Sequence, residues 1–456
     1  ESAAVLHSRL TPSQRLREWM RIRRGEASFV IGARSAVFAP VRSLGLIILD
    51  EEHESSYKSG STPRYHARQV AMHRAAAAEA RLVMGSATPS VEAWHLMNEG
   101  RLERLTLTAR LSGGAMPHMD VVSLTGADGP LSVPLIEAVR ETHREGRQSI
   151  LFLNRRGFAS FFQCRSCGFV LRCRQCSVTL TYHKSKGRMV CHYCGYTAAP
   201  PRACPECGSL DAGFAGHGTE RIEEEVRARF RDLTVRRLDT DAARKKGVLE
   251  ETLDAFRRGE VHVLLGTQMV AKGLNFPGVK LVGIIQADTG LMLPDFRAAE
   301  RTFSLITQVA GRAGRYSPDG RVIVQTFQPH NPAVSRAVAG EVDAFYEDEI
   351  AMRRGLAFPP FARLLRVVIR SRDRAAAERG AAELAGRLAG AVGAETEVMG
   401  PSECALAVIS GNHRRQVLLR TREFRSAHAG LQAALTDYRP PARVYLEVDV
   451  DPVSVL

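Results

Sequence analysis

Of the nine cysteines in this 456-residue chain, eight fall between Cys164 and Cys207 as four Cys-x-x-Cys pairs. The pairs are Cys164/Cys167, Cys173/Cys176, Cys191/Cys194 and Cys204/Cys207. Each pair can turn two thiolates toward one ion, and Zn²⁺ takes four in a tetrahedron, so eight thiolates make two closed, structural sites. Only five residues separate the first two pairs, a short loop to wrap one ion, whereas fourteen separate the middle two, close to a common zinc spacing. The expected arrangement is nested: Cys173, Cys176, Cys191 and Cys194 hold one zinc, and Cys164, Cys167, Cys204 and Cys207 hold the other. A cross-braced pairing and an iron–sulfur cluster are the alternatives. Arg165, Arg172, Arg174, Lys184, Lys186 and Arg188 lie in the same block. They would offset thiolate charge, and either meet phosphates or stay solvated.

A second cluster is acidic. Leu46-Ile47-Ile48-Leu49 runs into Asp50-Glu51-Glu52-His53. Acids at the carboxyl end of a buried parallel strand stand where open α/β sheets bind ligands. Phosphoryl transfer to water needs one carboxylate for Mg²⁺ and one group for the attacking water, and Asp50 and Glu51 suit those roles in that order. The competing reading is a solvated turn. Gly85-Ser86-Ala87-Thr88-Pro89 follows another short strand, and its small hydroxyls could relay strain from a nucleotide site. Farther on come Gly266-Thr267-Gln268, Lys272-Gly273 and Gln308-Val309-Ala310-Gly311-Arg312-Ala313-Gly314-Arg315. On a helix, Arg312 and Arg315 would share one face and reach phosphates, one of them as an arginine finger.

The elements that must carry these groups alternate in type. Over residues 1–112, helical patterns at Leu10–Arg24 and Ala71–Ala80 alternate with strands at Ser28–Gly32, Leu44–Leu49 and Arg81–Met84. That order predicts a parallel α/β sheet. Residues 113–130, with Gly and Pro, are expected to be a linker. A second α/β unit is expected over 131–161 and 213–329, interrupted by the cysteine block at 162–212. Residues 330–456 are expected to form a small α+β domain, with a helix at Arg374–Val392. Charge supports a polyanionic partner: 63 Lys+Arg against 49 Asp+Glu give a formal +14. Hydrophobic content of 45% excludes a disordered chain, and apolar runs are of strand length, too short to span a membrane. One localised cysteine cluster in a long chain suits metal binding in a reducing cytoplasm better than a disulfide framework.

Taken in order, DEEH, GSATP, ILFLNRRGF, the four CxxC pairs, GTQMVAKG, DFRAAER, QVAGRAGR, FPPFARL and the closing VDVDP resemble the PriA family of bacterial primosomal replication-restart helicases, within superfamily 2. The likeness runs over nearly the whole chain and is most specific in the cysteine insertion. It implies two RecA-like lobes, the first incomplete here, a two-zinc insertion in the second, and a C-terminal α+β domain. It also implies an ATP- and Mg²⁺-dependent 3′–5′ DNA helicase that recognises stalled forks and D-loops, initiates primosome assembly and reloads the replicative helicase. Its partners would be branched and single-stranded DNA, single-strand binding protein, other primosome proteins and the replicative helicase. Its place would be the cytoplasm, at the nucleoid.

By the same resemblance, Asp50, Glu51, Glu52 and His53 form the catalytic acidic box, completed by Arg312 and Arg315. Gln308 and Gly273 join Asp50 at the nucleotide. Ser86 and Thr88 couple hydrolysis to movement, and Thr267, Gln268 and Lys272 face DNA from the second lobe. Tyr57, Arg64 and Tyr65 lie in an aromatic-rich loop suited to sensing a strand, and Arg414 and Arg415 on a C-terminal surface that binds DNA and single-strand binding protein. No G-x-x-x-x-G-K-[ST] occurs, so the phosphate cradle is absent. The chain also opens on Glu1. Both are expected of a fragment that does not itself hydrolyse ATP efficiently, or, in a different class, of a fork-binding scaffold that recruits primosome proteins without unwinding. A generic RNA helicase would lack the cysteine insertion. Asn275 before Phe276 departs from the two histidines of many relatives.

Overall fold

A computed structural model describes residues 3–107, 117–127, 129–153, 161–183, 186–215, 219–238, 247–267, 276–313 and 319–455. They divide into two compact units, Glu1–Trp94 and His95–Leu456.

In the first unit, β1 (Ala3–Leu6) leads through α1 (Pro12–Arg24) to β2 (Phe29–Gly32), and the strands pair in parallel with Ala3 opposite Phe29. Helix α1 starts where the Thr11 hydroxyl and the Gln14 side chain satisfy each other's backbone amides, with Pro12 at its first turn. It stops at Gly25, whose φ of +79° suits a residue without a Cβ. Next, β3 (Leu46–Leu49), α2 (Ala67–Ala77) and β4 (Arg81–Met84) repeat the crossover, with Leu46 opposite Arg81. Helix α3 (Val91–Asn98) follows, and the first unit ends within it. The core around β1 and α1 is small, formed by Ala4, Leu6, Ile22, Ala27 and Ala39.

The second unit is built on a six-stranded parallel sheet. Its strands are β5 (His118–Ser123), β6 (Gln148–Leu153), β12 (Val235–Leu238), β13 (Val263–Gly266), β14 (Val279–Ile285) and β15 (Arg321–Thr326), in the order β12-β13-β6-β14-β15-β5. Helices α4 (Val133–Arg144), α5 (Thr219–Arg229), α6 (Val248–Arg257), the single turn α7 (Asp288–Leu291) and α8 (Ala298–Ala310) make the crossovers. Central strand β6 is buried at every position, as a parallel strand covered on both faces must be. Residues 118–123 do not form the expected linker. They pair with β15 from His118↔Arg321 to Ser123↔Thr326 as the edge strand β5. Flanking Gly and Pro hid it, and as an edge strand half-buried along its length it shows no clean apolar run.

After β6 the chain leaves this sheet for a five-stranded one, β7 (Phe161–Cys164), β8 (Thr181–His183), β9 (Arg188–Val190), β10 (Thr197–Ala198) and β11 (Ala212–Ala215), and returns at α5. Beyond β15, α9 (Pro332–Ala339) and α10 (Val342–Gly355) precede a last sheet. There β16 (Arg363–Ser371), α11 (Arg374–Ala391), β17 (Thr396–Ile409), β18 (Asn412–Thr421), α12 (Phe424–Thr436) and β19 (Tyr445–Val450) form an antiparallel sheet in the order β17-β18-β16-β19. This is a split β-α-β arrangement. One face packs on α11 and α12 through Leu365, Val367, Ile369, Leu384, Leu388 and Leu431. On the other side Leu364, Leu418, Met399 and Phe358 join Phe162, Leu180, Met189 and Tyr193 of the cysteine block in one core.

Gly283 shows how tightly the six-stranded sheet is packed, since a Cβ there would lie 2.7 Å from Leu135 Cδ1 and 2.8 Å from Leu151 Cδ2. Gly283→Ala is expected to lower stability by about 1–3 kcal/mol through overpacking. A fall in the urea midpoint checks this, and an unchanged midpoint contradicts it.

Candidate metal centres and nucleotide-facing loops

The cysteine block repeats one backbone turn four times. In each, the first cysteine's N–H donates to the carbonyl five residues on: Cys164 to Phe169, Cys173 to Val178, Cys191 to Tyr196 and Cys204 to Ser209, at 2.8–2.9 Å. The first cysteine's carbonyl accepts from the residue four on, Gly168, Ser177, Gly195 or Gly208, at 2.9–3.0 Å. That residue has a positive φ in every turn, 76°, 54°, 77° and 73°. Three turns use glycine for it, and Ser177 carries the conformation at a cost of roughly 1 kcal/mol. Gly168 has a second reason, since a Cβ on it would lie 2.1 Å from the Phe327 carbonyl oxygen just past β15.

These turns gather Cys164, Cys167, Cys204 and Cys207 into one group and Cys173, Cys176, Cys191 and Cys194 into another, with the Sγ atoms of each within 4.8 Å of one another. That is the nested combination. Sγ separations of 3.7 Å (Cys164–Cys207), 3.6 Å (Cys167–Cys204) and 3.7 Å (Cys173–Cys194) are far beyond a disulfide. They match the edge of a tetrahedron around one ion with bonds of ~2.3 Å, an edge of about 3.8 Å. Sulfurs this close enclose one ion and leave no room for a multi-iron cluster. The donor set therefore fits two zinc ions. Bound there, zinc would supply charge neutralisation and closed tetrahedral cross-links. Without a cation, ionisation of one sulfur opposes that of the next. Hydrogen bonds from Cys176 and Cys191 draw the Cys173 thiol down to about 2, and the bond to Cys173 pushes Cys191 up to about 12.

The acidic box sits where β3 ends. Gly85 N–H donates to the Leu49 carbonyl at 2.8 Å and Glu52 N–H to the Gly85 carbonyl at 3.0 Å. The pairing of β3 with β4 is thus extended past both strands, and the Asp50 and Ser86 loops leave the sheet side by side. Asp50 Oδ1 accepts from the Glu51 amide at 3.0 Å, and Glu51 turns the chain with a φ of +49°. Both carboxylates are exposed. His53 Nδ1 lies 2.7 Å from Ser86 Oγ, which also accepts the Thr88 amide at 3.0 Å. The Tyr57 hydroxyl donates to the Asp50 carbonyl at 2.6 Å. Burial, then the charges of Asp50, Glu54, Glu51 and Glu52, push that phenol above its ordinary range. Tyr65 packs edge-on against Phe38 at 4.7 Å, and Arg34 lies over its ring while holding the Ser56 carbonyl at 2.8 Å. Arg64 is half-buried between them in sequence.

Several expected roles meet a different geometry. Glu52 is 3% exposed, bonds Arg68 of α2 at 2.9 Å and accepts from the Ser90 amide, so it braces the box and cannot reach a reacting phosphate. Arg68 and Ser90 went unnoticed in the sequence, where no spacing ties them to Glu52. Helix α8 ends at Ala310. Gln308 is in its last turn, and Arg312 lies in the turn beyond the helix. Gly311 is the C-cap, and Arg312 N–H closes a turn onto the Val309 carbonyl at 3.0 Å. Thr267 follows β13 directly. Gln268, Lys272, Gly273 and Arg315 lie outside the described residues. On β18, Arg414 donates to the Leu406 carbonyl at 3.2 Å. Arg415 is bound by Glu378 and lies 3.9 Å from Glu403, which leaves it poorly placed for phosphate. Among the described residues no helix is long and apolar enough to cross a membrane.

Comparison with known proteins gives first the class. Residues 216–317 match the helicase conserved C-terminal domain, residues 173–198 the PriA DNA helicase Cys-rich region, and residues 354–453 the primosomal protein N C-terminal domain. The fold is accordingly a helicase-type α/β lobe with a zinc-ribbon insertion and an appended C-terminal domain. The replication restart protein PriA of Treponema pallidum is 54% identical over 454 residues, which span this whole chain and 69% of that protein. That of Bacillus subtilis is 41% identical, over 99% of this chain and 57% of that protein. The chain belongs to the PriA family of replication restart proteins. A structure of RecG bound to a three-way DNA junction overlaps 79% of this chain and 36% of that one at 13% identity, but its TM-score of 0.35 carries no argument.

Metal analysis is expected to find two zinc ions per chain and one in Cys173→Ser; one or none in the unmutated chain would contradict two closed sites. Glu52→Gln is expected to cost about 2 kcal/mol, because it leaves Arg68 facing a neutral group. Exposed Glu51→Gln is expected to stay within about 0.5 kcal/mol. Equal shifts in urea unfolding would contradict the distinction.

Proposed function

We propose that the full-length protein is a DNA-dependent ATPase and 3′–5′ DNA helicase of replication restart, which recognises stalled forks and D-loops and initiates primosome assembly to reload the replicative helicase. Residues up to 94 are part of the first motor lobe. The six-stranded sheet, β5 included, and its helices form the second lobe, β7 to β11 its zinc insertion, and residues 330–456 the C-terminal domain. The observation that carries the reading is the contact of His53 with Ser86, 2.7 Å across the ends of β3 and β4. A box that meets phosphate through Asp50 and Glu51 is there joined to the loop that would pass its state onward.

In this reading Asp50 holds Mg²⁺ and Glu51 orients the attacking water. Mg²⁺, when bound with ATP, neutralises charge on the transferred phosphoryl group. His53 keeps Ser86 and Thr88 in register with the box. Tyr57 senses the box through the Asp50 carbonyl, so a strand stacked on the loop of Tyr57, Arg64 and Tyr65 would bear on it directly. Gln308, Arg312, Arg315 and Gly273 serve the nucleotide from the second lobe. Thr267, Gln268 and Lys272 face DNA, and Arg414 is a better contact on the C-terminal surface than Arg415. Branched and single-stranded DNA, single-strand binding protein, primosome proteins and the replicative helicase are the partners, in the cytoplasm at the nucleoid.

Steady-state ATP hydrolysis by the full-length protein, with and without forked DNA, tests this. DNA should stimulate turnover strongly. Asp50→Asn should reduce it by about 10²-fold or more while fork affinity holds. Tight fork binding without hydrolysis would replace the motor with a recruiting scaffold, and undiminished turnover in Asp50→Asn would remove Asp50 from its role.

A further inference from the structure

The DFRAAER segment, Asp295 to Arg301, has no part in the chemistry above, yet it holds a dense buried network of charge. Asp295 has a side chain 0% exposed and accepts from Arg301 at 3.1 Å, the Arg297 amide at 3.0 Å and the Ser454 hydroxyl at 2.9 Å. Burial pushes its carboxyl up, but Arg301 and these donors outweigh burial and hold it below its ordinary range. Arg301 also donates to the Val453 carbonyl, so one carboxylate–guanidinium pair grips the end of the chain. Glu300, in the first turn of α8, accepts from Arg353 at 2.8 Å and Arg297 at 3.3 Å. Arg353, side chain 0% exposed, also donates to Glu349 at 2.9 Å and the Pro359 carbonyl at 3.3 Å, and lies over the Phe296 ring. Phe296 stacks on Phe358 at 4.8 Å, and its amide donates to the hydroxyl of Tyr193, which lies between two zinc-site cysteines.

Three carboxylates thus meet three guanidinium groups at a junction of α8, α10, the chain's C-terminal residues and the cysteine block. A buried ion network of this kind adds little stability over an apolar core, because desolvation consumes the Coulomb gain. What its hydrogen bonds fix is direction. Helix α8 is 13 residues, about 20 Å of rod. Its first turn is held by the network, Gln308 is in its last turn, and Arg312 follows two residues past its end. Phe303, Ile306 and Val309 are buried along it, so the rod is packed over its whole length.

We propose that Asp295, Glu300 and Arg353 are positioning residues that make the Arg312 end of α8 move as one body with the C-terminal domain and the cysteine block, so that a change at the nucleotide is delivered to the DNA-facing surfaces. The proposal rests on the motor reading. It predicts that loosening the clamp separates hydrolysis from work and leaves hydrolysis itself in place.

The test uses the full-length protein with Arg353→Lys, which keeps charge but loses the forked donors, and with the apolar pair Arg353→Met and Glu349→Leu, which removes the buried ion pair and leaves Glu300 to Arg297. ATP turnover on forked DNA, KM for ATP, fork affinity and zinc content should stay within about twofold of the unmutated protein. Base pairs unwound per ATP should fall roughly tenfold, within the cost of a misplaced group. Unwinding and hydrolysis that keep their normal ratio in both variants would overturn the proposal, as would a fall of both together with loss of zinc in Arg353→Lys. An unmutated protein without hydrolysis would defeat the motor reading alone. The clamp is then judged by amide exchange, where Arg353→Lys must release the α8 first turn and residues 453–455 together; separate release overturns it.

Discussion

Four sulfurs cannot sit within 4.8 Å of one another as thiolates unless a cation lies among them, and this chain builds that arrangement twice. The turns that bring the sulfurs in are small and locally satisfied, two backbone hydrogen bonds each, and the few apolar residues they carry, Val178 and Tyr193 among them, pack into a core shared with other parts of the chain. Phe162, Leu180, Met189 and Tyr193 share a core with Cys173, Cys176 and Cys191 and with Phe296, Phe358, Leu364, Met399 and Leu418, so the inner metal site and the C-terminal sheet hold each other in place. His192, fully buried beside Cys191, adds directional bonds: its Nδ1 lies 2.7 Å from the Glu403 carbonyl, and its own carbonyl accepts from Ser402 and Gln416. Burial drives this imidazole down to about 4, so near neutral pH it is uncharged and no charge is stranded at the joint. A block inserted into one sheet has become the floor of another.

In the first unit the organising feature is one extra rung of backbone pairing. Leu49, Gly85 and Glu52 continue the β3–β4 ladder beyond the strands, so two loops distant in sequence emerge in contact. Within the four acidic-box residues the sheet then assigns different environments. Asp50 and Glu51 face solvent, His53 meets Ser86, and Glu52 turns inward to Arg68. Four consecutive polar residues thereby divide into two exposed carboxylates, one contact across the strand ends and one buried ion pair.

Much of this was legible in the residues. The cysteine spacing favoured nested over cross-braced pairing, because loop length limits which pairs can close on one ion, and the grouping of the sulfurs decides for the nested set. Parallel crossovers followed from alternating strand and helix patterns, and β4 at Arg81–Met84 is where the pattern placed it. Other features were not legible, for identifiable reasons. Strand β5 is a half-buried edge and lacks an apolar run. Helix α8 stops at Ala310 with Gly311 as its C-cap, so Arg312 falls in the turn beyond the helix that the pattern extended. Glu52 looks like its acidic neighbours until Arg68, 16 residues on, folds against it. The DFRAAER clamp joins residues 295 to 454, and local pattern carries no trace of such a contact.

The most direct test of the metal-centred account is amide exchange before and after zinc is stripped by a chelator. The account predicts that protection is lost in residues 161–215 and, with it, around Phe358, Met399 and Leu418, while β6 and β14 of the six-stranded sheet remain protected. Loss confined to 161–215, with the C-terminal sheet unaffected, would contradict it.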